Sequence, residues 1–520
     1  MRWNVGYIVS KRASLMPDKV ALVYEDMPVT YGQLNENVNR TACYLQKKGL
    51  KKGDRIAVLL RNCPELLEVY FAAAKLGLIF VPLNFRLVGP ELEYQLNHSG
   101  SRMLFFHDSL LKNVEPVRER VKVDADKFLY TKSGVPDSPD CPGWAMDCHN
   151  IINNCSADEP LPDEPFEFND PLCIMYTSGT TGDPKGAVLS HEQTYFKNFQ
   201  IMLYTDMRSD DRFLAQSPLF HSAGLFFVAT PSLCRGATII IRQTFQPDQF
   251  AMDIEKHKAT IIFAMTAMWR MMLQTGKLDE IDTSNIRVVV GGGEKTPLSL
   301  LDDLAERGLH TQMAYGQTEN SVMILMPKEY AEKKKGSIGM PGFFTDVWIE
   351  DGNGRRLPPG EVGEIVATGL PVMSGYWNMP RLTEQTIVDG VLHTGDLGYV
   401  DEDGFFYIVD REKDMYRSGG ENVYPAEVEK ALLNHPAIES IAIIGVDDEK
   451  WGETGKAFVV LKDGASLTLD DMQGFLEGKV AKYKYPSHLE ILSELPMTAS
   501  GKVKKIDLKK KYGVRLQDEE

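Results

Sequence analysis

Two rhythms of apolar and polar positions run along this chain, and the switch between them gives the first outline of the fold. From Arg55 to Phe106, short apolar runs rich in β-branched residues, RIAVLL and LIFVPL, bracket the segment PELLEVYFAAAKLG. That segment opens with proline, keeps an apolar stripe at three- and four-residue spacing, and ends at glycine. The pattern predicts strand, helix, strand, helix, strand. The same alternation returns from Phe213 to Tyr315, where FLAQ, ATIII, ATIIFAM, IRVVVGGG and TQMAYG read as strands. Helical patterns lie between most of them, such as Pro297 to Arg307. Strands alternating with helices predict parallel sheets covered on both faces, an α/β architecture.

After about Gly336 the rhythm changes. VWIEDGNGRRL carries a hairpin signal, and GEIVATG and GFFYIVD are short strands with Gly and Asp turns, so a small β-rich subdomain is expected. Pro425 then opens a helix whose apolar face holds Val428, Leu432 and Leu433. IAIIGV, KAFVVL and HLEIL alternate with a helix near Asp470 to Lys482, which predicts a compact α+β unit. The domain boundary falls near Arg411 to Lys413, giving a domain of 1–411 and one of 412–520. The Pro/Asp-rich stretch from about Val135 to Pro171 is expected as a surface excursion, and no internal repeats are seen.

Composition narrows the function. At 520 residues the chain is too long for one ordinary core. Its 73 acidic and 57 basic residues leave a net charge of −16, which argues against nucleic acid or an anionic membrane surface as the main partner. An anionic nucleotide needs only local positive groups. The N-terminal apolar run is too short for a signal-peptide core, and no apolar stretch of ~18 residues occurs, so no integral membrane segment and a cytoplasmic location are expected. The seven cysteines read as reduced thiols. Cys141, Cys148 and Cys155, with His149 beside the middle one, lack the tight C-x₂₋₄-C knuckle of structural zinc sites and read as incidental.

The densest chemical signal is Tyr176-Thr-Ser-Gly-Thr-Thr-Gly-Asp-Pro-Lys-Gly186, directly after the strand-like LCIM. Small residues Gly179 and Gly182 let backbone N–H groups approach a phosphate; the hydroxyls of Thr177, Ser178, Thr180 and Thr181 add donors, and Lys185 adds charge. The Walker order G-x₄-G-K-[ST] is missing, as is the G-x-G-x-x-G dinucleotide fingerprint. The run resembles the phosphate-loop signature of the adenylate-forming superfamily, which includes acyl-CoA synthetases, adenylation domains of peptide synthetases, and luciferases. Further matches follow in that family's order from near Gly77 to Lys502.

That resemblance implies an α/β fold with a large N-terminal AMP-binding domain and a small mobile C-terminal domain, and an ATP-dependent acid–thiol ligase activity. Tyr315-Gly316-Gln317-Thr318-Glu319 resembles the aromatic-Gly-x-Thr-Glu motif: the ring offers adenine a stacking face, Thr318 donates to the α-phosphate, and Glu319 suits Mg²⁺ on ATP. Gly291, Gly292, Gly293 and Glu294 close an apolar strand on which a flat ring or acyl group can lie. Asp396, in His393-Thr-Gly-Asp, is the ribose anchor, supported by Arg411. Lys502, in P-x-T-x-S-G-K, stabilises charge as the carboxylate attacks the α-phosphate. The family's domain rotation would pivot at Lys413, and Ser418, Gly419 and Gly420 would line the pantetheine tunnel.

The acid is narrowed by Pro218-Leu-Phe-His-Ser-Ala-Gly224. No acidic residue from Ser217 to Thr230 could pair a substrate ammonium, so a carboxylate without an amino group is favoured. His221 resembles the ring that gates the acyl and thiol tunnels of acyl- and aryl-CoA synthetases. By position, the pocket walls are Phe199, Gly224, Phe226, Met265, Gly291, Ser321, Val322 and Met323, with no Arg or Lys among them to pair a second carboxylate. An aliphatic, alicyclic or aryl monocarboxylic acid and coenzyme A are the expected partners, and a homodimer stays open. The stripe Met265, Met268, Met271 and Met272 reads as core ahead of pocket wall. Two rivals stand beside this reading: delivery to another acceptor (a carrier-protein thiol, or oxygen as in luciferases), and a catalytically dead nucleotide-binding relative.

Overall fold

The computed structural model describes residues 4–87, 89–134, 139–177, 184–293, 296–411, 414–418, 421–448, 452–477, 479–480, 482–497 and 503–512. The chain folds as two compact units. One comprises Met1–Lys335, Gly339–Asp346 and Ala367–Leu392, and the other Gly336–Ile338, Val347–Val366 and His393–Glu520.

The larger unit is built on two sheets. In the first, the strands Val20–Tyr24, Thr238–Ile241, Arg212–Leu214, Ile261–Ala264, Val288–Gly292 and Thr311–Tyr315 are neighbours in that order and parallel. In the second, Pro171–Thr177, Ile79–Pro82, Arg55–Leu59, Met103–His107, Phe128–Thr131 and Met146–Asp147 form the parallel run. These strands are buried along most of their length, which is why they read as continuous apolar runs without alternation. Pro64–Leu76 forms the helix the pattern predicts. Proline sits in its first turn, and Gly77 ends it in the left-handed conformation at φ 70°. The Leu298–Ala305 helix likewise lies within the expected span.

Two expectations need correction. The stretch from Val135 to Pro171 is not merely a surface excursion: Trp144 stacks on Phe106 with ring centroids 5.6 Å apart, Met146–Asp147 extends the second sheet, and Cys148 and Cys155 are buried. The helix expected near Asp470 to Lys482 is shorter, Leu469–Leu476, and starts from a capping box between Thr468 and Asp471.

The smaller unit holds most of the sheet formed by Thr345–Glu350, Gly363–Gly369, Val391–Val400 and Phe406–Arg411. The hairpin signal in VWIEDGNGRRL appears as an antiparallel bridge between Glu350 and Arg356. A second sheet holds Tyr416–Ser418, Glu421–Val423, Ile438–Asp448, Gly452–Leu461 and His488–Ile491. Val428 and Leu432 of the Pro425–Leu432 helix pack into its core with Ile443, Val459 and Met472. Among the described residues no helix is long and apolar enough to cross a membrane.

Candidate active site

The strands Pro171–Thr177 and Lys185–Ser190 pair antiparallel with Thr177 opposite Lys185, so the hydroxyl- and glycine-rich run is the connection of a hairpin. Ser178, Gly179, Thr180, Thr181 and Gly182 lie outside the described residues, while Thr177 and Lys185 fix the two ends. On the other side of Lys185–Ser190, the short strand Gly375–Tyr376 adds with Tyr376 opposite Ala187. Tyr376 is the residue that ties the site together. Its ring centroid lies 5.6 Å from Lys185 Nζ, and its Oη donates to Glu319 Oε1 at 2.8 Å. The Met373 N–H donates to the Glu319 carbonyl at 2.6 Å. Lys185 and Glu319, 134 positions apart in sequence, thus meet on one phenol. Burial, with the Glu319 carboxylate beside it, pushes the Tyr376 phenol far above its ordinary range, so it stays a proton donor. The sequence reading passed over Tyr376, because PVMSGYW carries no motif chemistry of its own.

Glu319 owes its position to a tight reversal after the Thr311–Tyr315 strand. A Cβ at Gly316 would run into the Ser321 carbonyl, so no other residue fits there. The Gln317 N–H donates to Asn320 Oδ1 at 2.8 Å, Ser321 takes a φ of 58°, and the Met323 N–H returns to the Tyr315 carbonyl at 3.0 Å. Thr318 is half-buried on this turn and Glu319 is buried. On the neighbouring strand a Cβ at Gly292 would meet the Ala314 carbonyl, and Gly293 has φ 87°. Met265 Cγ lies 4.0 Å from where a Gly293 Cβ would stand. Gly291, Gly293, Met265 and Tyr315 therefore cluster at the carboxyl ends of adjacent parallel strands. Glu294 lies outside the described residues.

The same edge holds a topological switch. Arg212–Leu214 has Thr238–Ile241 on one side and Ile261–Ala264 on the other. In open α/β sheets ligands lodge in the crevice such a reversal opens. The chain leaving Leu214 leads to His221, whose ring centroid is 4.2 Å from that of Phe220, and then into Ala223–Ala229, which is wound as a π-helix. Single π turns recur at functional sites. A Cβ at Gly224 would strike the Pro218 carbonyl, and Phe226, two residues on, is fully buried. Ser222 Oγ lies 3.2 Å from Ser321 Oγ, and the Val322 carbonyl accepts from Gln200 Nε2 at 2.5 Å. These bonds join the His221 segment and the Glu319 loop to the His191–Tyr204 helix; Met323 is buried behind them.

Phe199, on that helix, is 39% exposed, and its ring neighbours are Tyr195 and Phe196. The face turned inward carries Lys197 instead, 1% exposed, with Nζ 5.3 Å from the centroid of the Phe226 ring. The sequence reading missed Lys197. In the methionine stripe, Met268 and Met272 are core residues and Met271 is exposed.

In the smaller unit, Asp396 and Arg411 are cross-strand partners in the pairing of Val391–Val400 with Phe406–Arg411. The turn before Asp396 is held by Glu364, which accepts from the Gly395 N–H at 2.8 Å and contacts His393 Nδ1 at 2.8 Å. The Asp396 N–H donates to Thr394 Oγ1 at 3.1 Å, and the Asp396 side chain is buried. Ser418 is buried at the end of its strand. Lys413, Gly419, Gly420 and Lys502 lie outside the described residues; Met497 and Val503, which flank the Lys502 segment, form an antiparallel bridge.

A family model described as AMP-binding enzyme matches residues 9–377. The chain belongs to the AMP-binding enzyme family. A second model, the AMP-binding enzyme C-terminal domain, matches residues 427–502. The chain is 38% identical to a feruloyl-CoA synthase of Amycolatopsis sp. over 97% of its own length and 98% of the relative's. It is 33% identical to a long-chain-fatty-acid–CoA ligase of Mycobacterium tuberculosis, over 99% of both. Among solved structures it resembles the o-succinylbenzoate CoA synthetase of Bacillus subtilis bound to its acyl-adenylate, with TM-score 0.85, 33% identity, and 96% and 97% of the two chains covered. The same enzyme with ATP and a magnesium ion gives TM-score 0.85 at 32% identity, covering 96% and 99%. Membership of this AMP-binding family implies ATP as the nucleotide and, through its CoA-ligase members, coenzyme A as the thiol.

Proposed function

We propose that the chain is an ATP-dependent carboxylate–CoA ligase working in two half-reactions. A carboxylate oxygen attacks the α-phosphorus of ATP, expelling pyrophosphate and leaving an acyl-adenylate. The thiol of coenzyme A then attacks the acyl carbon, AMP leaves, and the thiol proton passes to solvent. The observation that carries this reading is the meeting of Lys185 and Glu319 on Tyr376, beside a sheet edge lined by Gly291, Gly293 and Met265. A cation at the root of a phosphate hairpin and a carboxylate held next to it suit a nucleoside triphosphate in an oriented pose.

In this proposal the hairpin from Thr177 to Lys185 cradles the phosphates, Tyr315 and Gly292–Gly293 receive adenine, Asp396 with Arg411 holds the ribose, and Thr318 donates to the α-phosphate. Glu319 fits Mg²⁺ by its donor type: its carboxylate is a hard oxygen ligand, oriented by the Tyr376 hydroxyl. Bound there, the ion would neutralise phosphate charge. His221 screens the acyl and thiol routes from one another. Lys502 supplies the ammonium for adenylation, and residues 412–520 move about Lys413 so that Ser418, Gly419 and Gly420 can pass the pantetheine arm. The acid is an aliphatic, alicyclic or aryl monocarboxylate, in keeping with relatives named for feruloyl and long-chain fatty acids. The setting is the cytoplasm, where ATP and coenzyme A are both supplied.

The test is AMP release with a panel of short-chain, fatty, cyclic and aromatic acids, with and without coenzyme A. AMP that appears only when acid and coenzyme A are both present supports the ligase; acid-dependent pyrophosphate release with no thioester points to another acceptor. Lys502→Ala should slow adenylation by several orders of magnitude while sparing thiolation of supplied acyl-adenylate. Equal loss in both half-reactions removes Lys502 from its role.

A further inference from the structure

Lys197 lies outside every role assigned above, yet it has the surroundings of a residue that waits for a ligand. It sits on the inward face of the His191–Tyr204 helix, 1% exposed, and its Nζ finds no hydrogen-bond partner among the described residues. What it faces is the Phe226 ring, 5.3 Å from Nζ to centroid, on the π-helix that follows His221. The buried thiol of Cys173 and, less strongly, the Glu319 carboxylate are close enough to act on it electrostatically without forming a bond.

Its neighbours on the same helix are anchored. Asn198 Oδ1 accepts from Thr230 Oγ1 at 2.8 Å. Gln200 donates to the Val322 carbonyl at 2.5 Å and accepts from the Phe344 N–H at 3.0 Å. Lys197 is thus followed along the helix by anchored residues, and it faces Phe226, one of the residues beside which the acid's body is proposed to lie.

We infer that Lys197 is a specificity-determining residue: its amine receives a hydroxyl group carried on the body of an aromatic acid, away from the reacting carboxylate. This rests on the ligase reading above. Leaving a buried ammonium without an acceptor is unfavourable, and a substrate oxygen would relieve that. A hydroxyl matches this position better than a second carboxylate does. Burial lowers Lys197 to about 7, so both protonation states are populated near neutral pH. A phenolic hydroxyl can accept from the ammonium or donate to the neutral amine, whereas a carboxylate requires the charged form and must itself be desolvated. The Phe226 face beside Nζ offers the aromatic ring of such an acid an edge-to-face partner.

The experiment compares kcat/KM for matched acids, cinnamate against 4-hydroxycinnamate and a straight-chain monoacid against its dicarboxylic counterpart, in the full-length chain and in Lys197→Met. The unaltered chain should prefer the hydroxylated member by roughly 10- to 100-fold, and Lys197→Met should bring the ratio to about one, mostly through KM. Lys197→Gln, which keeps one donor and one acceptor, should restore part of the preference. An unchanged ratio in both variants, or an equal loss on both members of the pair, overturns the inference while leaving the ligase intact. So does a Lys197-dependent preference for the dicarboxylic acid without any hydroxyl effect. Failure of every acid to release AMP overturns the ligase reading itself, and this inference with it.

Discussion

Lys75 and Lys197 are both withdrawn from water in the larger unit, at 3% and 1% exposure, and their surroundings could hardly differ more. Lys75, in the last turn of the Pro64–Leu76 helix, donates to Asn35 Oδ1 at 2.7 Å and Asn39 Oδ1 at 2.6 Å, and pairs with Glu159 at 2.8 Å. Lys197 has an aromatic face and no acceptor among the described residues. Burial lowers both, to about 8 and about 7. The lesson is that burial of a cation says little about its purpose. Its acceptors decide: Lys75 is saturated and therefore structural, whereas Lys197 has capacity left for a ligand.

The carboxylates show the same division, and there the largest effect is expected. Among the described residues the Glu319 side chain is bonded by the Tyr376 hydroxyl, and the rest of its role is proposed to be toward ligand. Glu319→Gln keeps an acceptor for Tyr376 but removes the charge, so acid-dependent pyrophosphate release should fall by roughly 10²- to 10³-fold while the melting temperature barely moves. A variant that melts many degrees lower at full specific activity would make Glu319 a structural group. Glu159 is the opposite case, engaged by Lys75, Ser10 and Asn39. Lys75→Met leaves Glu159, Asn35 and Asn39 without their cation, and should lose about 3 kcal/mol of unfolding free energy. Activity per folded molecule should be retained. Denaturant titration checks the first part, and a loss below about 0.5 kcal/mol would erase the contrast between the two lysines.

Much of this was legible in the sequence, and the misses share a cause. The Pro64–Leu76 helix was readable because proline, an apolar stripe and Gly77 each specify it locally. The buried parallel strands were readable because they are apolar throughout. The hydroxyl- and glycine-rich run between Thr177 and Lys185 and the Tyr315–Glu319 turn stand out in the sequence because their chemistry is concentrated in a few consecutive residues. Tyr376 was missed because it acts through partners at Lys185 and Glu319 that only the fold brings near. Lys197 escapes a reading that assigns pocket walls by position, which takes Phe199 from a helix whose inward face is largely polar: His191, Gln193, Thr194, Lys197, Asn198 and Gln200. The role of the stretch around Trp144 and Glu159 was hidden by its loop-like composition, since its partners Phe106 and Lys75 lie far along the chain. The helix near Asp470 stops at Leu476 because Glu477 turns out of the helical conformation, at ψ 129°, which its residue type does not announce.

The smallest effect is the most diagnostic, because its sign is opposite to that of Lys75→Met. Lys197→Met removes an ammonium that leaves no protein acceptor behind among the described residues, and keeps an unbranched apolar stem against Phe226. Stability at pH 7 should rise, by about 1 kcal/mol once altered packing is allowed for. The pH dependence follows from linkage. The folded chain holds Lys197 at about 7, against an ordinary value of 10.5. Between these values the unfolded state binds the extra proton, so the parent chain gains stability as pH rises through that window. Below about pH 7 both states are protonated and the full penalty stands. The advantage of Lys197→Met should therefore be greatest at and below pH 7 and shrink toward pH 10. Melting curves of the two chains at pH 6, 8 and 9.5 measure that difference with the other titrating groups in common. If Lys197→Met is instead less stable at every pH by as much as Lys75→Met, the ammonium already has its acceptor, and the two lysines are of one kind.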